Sequence, residues 1–392
     1  MRSIGVVTVA RSDYGIYRPL LRCIQADPDL KLMLFVGGMH LSPEFGMTVR
    51  EIEQDGFPIA ERVEMLLSSD SPEGVSKAMG LGLIGFAQAF ARIRPDILIV
   101  LGDRFEMFAA AAAALPFKIP IAHLHGGELT QGAMDDSLRH AITKLSHLHF
   151  AATATYAQRI IQMGEDPWRV VVSGALSLDS IRMTPLLSLE NLQSQCSLEW
   201  HGEPLLVTFH PVTLEQEQTE YYINELLAAL EASGCPIVFT FPNADAGGRV
   251  IIQRINKFVE THLQAQVVAN FGVQGYLSMM QYSEAMVGNS SSGIVEAASF
   301  HLPVVNIGTR QEGRIHPANV IDVGYEREAI LNGIQRATAP EFRAMVYNAS
   351  NPFGDSHAAE RIVRTLKQTP VDASLLVKVF HEAEAPTHLL SE

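Results

Sequence analysis

Short β-rich runs alternate with segments of helical period along almost the whole chain. In the first half the β-rich runs are 4–9, 32–38, 97–103, 119–124, 147–152 and 170–174; in the second half they are 205–211, 237–243, 267–272, 285–290, 304–308 and 320–324. Several lack the apolar–polar alternation of a half-exposed strand, which is the pattern of strands covered on both faces. Strands of that kind separated by helices predict parallel sheets with right-handed crossovers. The polar, proline-containing stretch near 180–204 interrupts the series. Two doubly wound, Rossmann-like α/β domains follow, expected at 1–180 and 181–366, with the tail 367–392 expected to pack back on the first domain or on a neighbouring subunit.

In open α/β sheets, reactive groups collect beyond the carboxyl ends of the strands. The ends here are ARSDYG, LGDRFE, HLHGGE, FHP, FPNAD, GNSSSG and IGTRQEGR. If the two carboxyl edges face each other, all seven fall in one cleft. The most informative is residues 285–300, where an apolar strand runs into Asn289, Ser290, Ser291, Ser292 and Gly293 and then into the apolar spacing of a helix over 294–300. The first amides of such a helix lack internal partners and carry partial positive charge. Serine hydroxyls there can donate to phosphate oxygens, and Gly293 would let a ligand approach the backbone. Glu296, four residues after Ser292, would face the same way and accept from sugar hydroxyls. The stretch reads as a diphosphate–ribose pocket; a plain serine cap is the alternative.

After the first strand, Arg11 can meet a phosphate bidentately, while Ser12 or Asp13 can cap the next helix. Asp103 and Arg104 end a central strand, where Asp103 suits a base, a base's partner or a cap. The block 123–150 is the richest in ionisable groups. His123 and His125 would share one strand face, Glu128 follows on the loop, and Asp135 or Asp136 would cap a helix carrying Arg139, His140 and Lys144. Proton transfer by carboxylates and histidine is one reading. A zinc site from the histidine pair plus Glu128 is a second, which paired thiols or an HExxH run would have supported, and a structural histidine network is a third. His210 is placed to bind a phosphate or protonate a leaving group. Asn243, Asp245, Arg310 and Arg314 complete the strand-end groups.

Composition narrows the partners. A formal charge of −14 over 392 residues argues against nucleic acid or an anionic membrane as the main partner. Any phosphate must be held by local arginines and helix ends. Cys23, Cys196 and Cys235 lie far apart without metal-ligand spacing, so reduced thiols in a cytoplasmic protein are expected. The first residues lack a signal-peptide core. The most apolar run, 107–122, is broken by Pro116, Lys118 and Pro120 and predicts a helix followed by a strand, not a membrane span.

Six collinear motifs, HLHGGE with DDSLRHAITKLSHLHF, LGDR, FHPVT, FPNADAGG and GNSSSGIVEA with VVNIGTRQEGR, together resemble the hydrolysing UDP-N-acetylglucosamine 2-epimerases of sialic acid biosynthesis. Close relatives acting on bacillosamine-derived nucleotide sugars, on the way to legionaminic acid, share most of them. The likeness implies a glycosyltransferase-B-like fold and conversion of UDP-N-acetylglucosamine and water into N-acetylmannosamine and UDP, with no cofactor and no metal. It also implies a dimer or tetramer. By position it assigns Arg11, Ser12, Asp13, Arg104, His210, Asn243, Ser290, Ser291, Glu296 and Arg310 to the nucleotide, and Asp103 and Asp135 to catalysis. Some family members have Glu where this chain has His125, so His125 or Glu128 would carry the C2 proton here. Loss of UDP would acidify C2 and give a 2-acetamidoglucal, to which water adds before a proton returns to the opposite face. The rivals are a glycosyltransferase of the same architecture, a non-catalytic nucleotide-sugar sensor, a metal-dependent hydrolase and the non-hydrolysing 2-epimerase, whose usual H-x-E-A-G and P-E-E-x-N runs are absent.

Overall fold

A computed structural model describes residues 1–69, 71–130, 134–200, 202–242 and 247–382. The chain divides into two units, Met1–Ser180 joined by the segment from Phe353 onward, and Ile181–Pro352.

The first unit is built on a wholly parallel sheet of β1 (Arg2–Thr8), β2 (Leu30–Gly37), β3 (Ile59–Val63), β4 (Ile97–Leu101), β5 (Ile121–Leu124), β6 (Leu148–Ala151) and β7 (Val170–Val172). Their order is β3-β2-β1-β4-β5-β6-β7. Ile4 of β1 sits between Leu32 of β2 and Ile97 of β4, and all three side chains are buried. This continuous burial on both faces explains the unbroken apolar runs. Strand order reverses between β1 and β4, opening a crevice at their carboxyl ends. The sequence pattern missed β3, an edge strand in which Glu61 and Arg62 replace an apolar run. Edge strands tolerate charge because one side faces water.

Helices α1 (Arg11–Ala26), α2 (Pro72–Arg92), α3 (Phe105–Ala114) and α4 (Met134–Leu145) flank this sheet. The alanine run of α3 lets α2 approach closely: a Cβ on Gly82 would stand 3.1 Å from Cβ of Ala109. Together with β5, α3 forms the helix-then-strand expected of 107–122. Among the described residues, no helix is long and apolar enough to cross a membrane.

The second unit's parallel sheet contains β8 (Leu205–Thr208), β9 (Ile237–Thr240), β10 (Ala265–Val268), β11 (Ala285–Gly288), β12 (Val304–Ile307) and β13 (Val320–Val323), in the order β10-β9-β8-β11-β12-β13. Its switch point lies between β8 and β11. A short helix, α5 (Ser291–Val295), follows β11.

The expected second domain ran to residue 366, whereas the chain returns to the first unit at Phe353. The helix α6 (Ala358–Gln368) packs on α1 through Ile362, Val363 and Leu366. Asp179 caps α6, accepting from the amides of Ala358 at 2.9 Å and Ala359 at 2.7 Å. The described tail is also held by the first unit. Arg169 donates to the carbonyls of Ser374, Leu375 and Val377. Lys378 reaches the carbonyl of Ser146 at 2.6 Å and the buried Glu165 at 2.7 Å.

Candidate functional site

In each unit, the polar strand ends gather at the switch point. In the first unit, α1 begins right after β1, and its first turn is capped from within. Asp13, only 3% exposed, accepts from the amide of Ala10 at 2.8 Å, that of Val9 at 3.2 Å and the hydroxyl of Thr8. Thr8 in turn meets His40 Nε2 at 2.9 Å, and His40 Nδ1 meets Thr48 at 2.7 Å. Burial pushes Asp13 up to about 7 against the pull of these donors, and burial lowers His40 to about 4. The Asp13 carboxylate is therefore taken up by the cap. Its neighbours Arg11 and Ser12 are exposed on the same turn, with Arg11 loosely paired to Glu51 at 3.7 Å.

Beyond β4, Gly102 leads into Asp103 and Arg104. The Asp103 carboxylate accepts from Nη2 of Arg139 on α4. Arg139 is 4% exposed and also donates to the carbonyl of His125 at 3.2 Å and the hydroxyl of Thr130 at 3.0 Å, with Glu128 Oε2 at 3.4 Å. Its buried Nε has no partner among the described residues. One guanidinium thus gathers Asp103, Glu128 and the backbone of His125. Burial raises the Asp103 carboxyl above its ordinary value; Arg139 opposes the rise, while the charges of Asp135 and Glu128 add to it. Asp135 is half-buried in the first turn of α4. Asp136 accepts from the amide of Thr130 at 2.7 Å.

His123 and His125 do not form a pair. His123 is fully buried in β5, with Nε2 on the carbonyl of Gly102 at 2.8 Å and Nδ1 on Thr143 at 3.2 Å. Burial lowers its pKa to about 3, so it is a neutral core residue with both nitrogens occupied. β5 ends at Leu124, and His125 adopts φ +61°, which turns its ring away from the strand. A non-glycine residue in that region is uncommon, and such outliers cluster at functional sites. His125 Nε2 takes the amide of Leu176 at 3.4 Å, the outer limit of a hydrogen bond. Its Nδ1 meets Glu128 Oε1 at 2.8 Å. Among the described residues, no group of three or more His, Cys, Asp or Glu side chains is arranged to hold a metal ion. His149, on β6, meets the buried Glu165 at 3.1 Å and belongs to the core.

In the second unit, β11 ends at Gly288 with φ +138°, and a Cβ there would lie 2.0 Å from the carbonyl oxygen of Thr208. Only glycine fits that crossing against β8. The fully buried Asn289 then ties the strand ends together. Its side chain accepts from the amide of His210 at 2.7 Å and donates to the His210 carbonyl at 2.8 Å. Its own carbonyl receives Arg310 Nη1 at 3.1 Å and Gln311 Nε2 at 2.8 Å. His210 is 6% exposed. Burial, reinforced by nearby Arg310, lowers its pKa to about 3, so the imidazole is neutral near pH 7 without an anion beside it.

Ser290 caps α5, its hydroxyl accepting from the amide of Ser292 at 3.3 Å. The expected helix over 294–300 is instead five residues of α5 and, past Glu296, a 3-10 turn at Ala297–Phe300. So short a helix has a weak dipole; the half-buried hydroxyls of Ser290, Ser291 and Ser292 are the donors this loop offers. At Gly293 the side-chain position faces the protein. A Cβ there would stand 2.9 Å from Val304 Cγ1, so the glycine lets α5 pack on β12. Glu296 is half-buried at the end of α5. Arg310 and Arg314 lie in a turn, not on a helix, and Arg314 is half-buried. The loop is held by Thr309, whose hydroxyl donates to Glu215 at 2.6 Å. Asn243 and Asp245 fall outside the described residues.

The sequence does not show that Arg139 gathers these groups or that Asn289 fixes His210. Arg139 stands out in the sequence only as a helix cation able to reach groups three or four residues away, whereas the groups it gathers lie further off. Nothing local marked the second.

The model of the UDP-N-acetylglucosamine 2-epimerase family matches residues 22–367. The chain is 37% identical over 377 residues to the GDP/UDP-N,N'-diacetylbacillosamine 2-epimerase (hydrolyzing) of Campylobacter jejuni, covering 95% of this chain and 97% of that protein. It is 37% identical over 379 residues to the UDP-N,N'-diacetylbacillosamine 2-epimerase (hydrolyzing) of Legionella pneumophila, covering 96% and 99%. In fold it is similar to the UDP-GlcNAc 2-epimerase of Neisseria meningitidis solved with UDP-GlcNAc, with a TM-score of 0.79 at 18% identity over 94% of this chain and 100% of that one. With motifs, topology and full-length likeness in agreement, the chain belongs to the UDP-N-acetylglucosamine 2-epimerase family.

Proposed function

We propose that this protein is a hydrolysing 2-epimerase acting on UDP-N-acetylglucosamine or a close 2,4-diacetamido-6-deoxy nucleotide sugar, in a cytoplasmic route to a sialic- or legionaminic-type acid. It would release UDP and a free mannosamine-type sugar through a 2-acetamidoglucal. The observation that carries the reading is the cluster of Asp103, Glu128 and His125 around Arg139 at the first switch point. Both named relatives are hydrolysing 2-epimerases of a diacetamido sugar, which favours that substrate class and favours hydrolysis over the transferase and sensor readings.

The C2 proton becomes acidic only as UDP departs, so groups on one face must remove it and groups on the other must return one. Asp103, His125, Glu128 and Asp135 are the proton-transfer groups. Asp103 is raised above its ordinary value by burial and by neighbouring carboxylates, a direction that suits a group that must exchange a proton. The second unit's donors suit the diphosphate: His210, Arg310, Arg314 and the hydroxyls of Ser290, Ser291 and Ser292, with Glu296 for the ribose. Arg11, Ser12, Arg104 and Asn243 complete the nucleotide contacts. Asp13 supports Arg11 and Ser12 by capping their turn. A homodimer or homotetramer is proposed, checked by light scattering.

The test is incubation with UDP-N-acetylglucosamine and, separately, with its 2,4-diacetamido-6-deoxy relative, with UDP and free sugar detected independently. Equal amounts of UDP and an N-acetylmannosamine-type sugar are expected. Release of gluco-configured sugar, or of no UDP, would refute the reading.

A further inference from the structure

The buried pair of Glu106 and Arg104 lies outside the proton-transfer cluster and has a geometry that stability alone does not explain. Glu106 stands in the first turn of α3, where a carboxylate ordinarily meets the helix dipole from solvent. Here it is fully buried. Its oxygens take Nε of Arg104 at 3.2 Å and Nη2 at 2.8 Å, a fork grip. Nη2 also rests on Met39 Sδ at 3.4 Å.

The fold makes room for this grip. Gly38, at φ +55°, has space for no side chain, because a Cβ would lie 2.8 Å from the carbonyl of Val9 and 3.3 Å from Glu106 Oε1. A buried ion pair adds little net stability over an apolar pair of the same shape. What it does add is direction. The fork uses two of the three guanidinium nitrogens, and Nη1 makes no hydrogen bond or ion pair among the described residues, although the charges of Asp13 and Asp135 also act on the guanidinium. The Arg104 side chain is 33% exposed and stands next to Asp103 in sequence, so the guanidinium keeps a donor that the fork does not use. An arginine fixed in this way gives up no rotamer freedom when it meets a ligand.

We propose that Glu106 is a positioning residue that locks the Arg104 guanidinium so that its Nη1 edge meets an oxygen of the nucleotide sugar beside Asp103. This rests on reading Arg104 as a substrate contact, and the test separates the two.

Steady-state kinetics and UDP titration calorimetry are run on Glu106→Gln, Glu106→Asp, Arg104→Ala and the Arg104→Ala/Glu106→Gln double variant, with melting temperatures alongside. Losing the charged half of the fork is expected to raise KM and the UDP Kd roughly tenfold, with kcat changed less. Glu106→Asp keeps the charge and should recover part of the loss, which also covers the case in which Glu106→Gln folds poorly. The double variant should be no worse than Arg104→Ala, because Glu106 acts only through Arg104. Multiplying losses, or a lowered melting temperature with KM and UDP binding unchanged, would overturn the proposal and leave Glu106 structural. If Arg104→Ala itself leaves KM and UDP affinity unchanged, the reading of Arg104 falls, and the proposal with it.

Discussion

Replacing Arg139 by leucine is the perturbation that most loads the proton-transfer cluster. Arg139 is 4% exposed and faces side chains of Asp103 and Glu128 that are 21% and 13% exposed. Removing one partner of a buried pair typically costs about 3–5 kcal/mol, because the other charge is stranded. The residual exposure of both carboxylates brings the expected loss to the lower end of that range, about 3 kcal/mol. The larger effect is on chemistry. Arg139 holds the Asp103 carboxyl down against burial and the charges of Asp135 and Glu128, so its loss must raise that carboxyl further. The acid limb of the kcat profile should move to higher pH, and turnover near neutrality should fall by about 10²–10⁴, the usual contribution of a positioned acid or base. Arg139→Lys keeps the charge without the fork and should fall between. Continuous UDP-release kinetics from pH 5 to 9, with UDP affinity measured separately, decide the matter. Turnover within about threefold of wild type and an unmoved acid limb would remove the cluster from the mechanism.

Buried histidines set the acid response of the first unit. His40, His123 and His147 have folded pKa values lowered by burial to about 4, 3 and 4. Each stabilises the fold while the unfolded imidazole is neutral, and that stability is lost as pH falls below about 6.5. Asp13, raised to about 7, has the opposite sign, its protonation favouring the folded state as pH falls. From pH 7 to 5.5 the three histidines lose about 4 kcal/mol and Asp13 returns about 2; His149, also lowered by burial, adds to the loss, so a net loss of at least about 2 kcal/mol is expected in thermal scans. Asp13→Asn should steepen that dependence, and a shallower one would contradict the assignment. Gly293→Ala should destabilise by about 1–3 kcal/mol through overpacking on Val304 while leaving UDP affinity within about twofold, as read by calorimetry; a selective loss of UDP binding would restore the glycine to the ligand. Lys378→Met removes a cation from the buried Glu165 and two bonds to carbonyls. It should lower the first unit's melting transition by an amount worth about 2 kcal/mol with kcat preserved below that transition.

Much of the fold was written in the sequence because parallel strands such as β1, β4, β8 and β11 are buried on both faces and leave unbroken apolar runs. The edge strand β3 was not, since Glu61 and Arg62 give it the composition of a loop. The return of the chain at Phe353 was equally hidden. An amphipathic helix such as α6 announces an apolar face, not which sheet that face will meet, and the decisive contact with Asp179 is distant in sequence. At the site, the strand-end motifs were legible as positions but not as roles. Glycine at 293 looks the same in sequence whether it admits a phosphate or a valine methyl group. His123 and His125, two residues apart, part company because β5 ends between them. Arg139 and Asn289 do their gathering across sequence distances that local pattern does not span.

The central claim is that UDP leaves by elimination, so that C2 exchanges its proton before water adds at C1. Turnover in D₂O, followed by NMR or mass analysis of the released sugar, tests it most directly. The account predicts one solvent deuterium at C2 of a manno-configured product, released with an equal amount of UDP. A product carrying only the original hydrogen at C2 would contradict it.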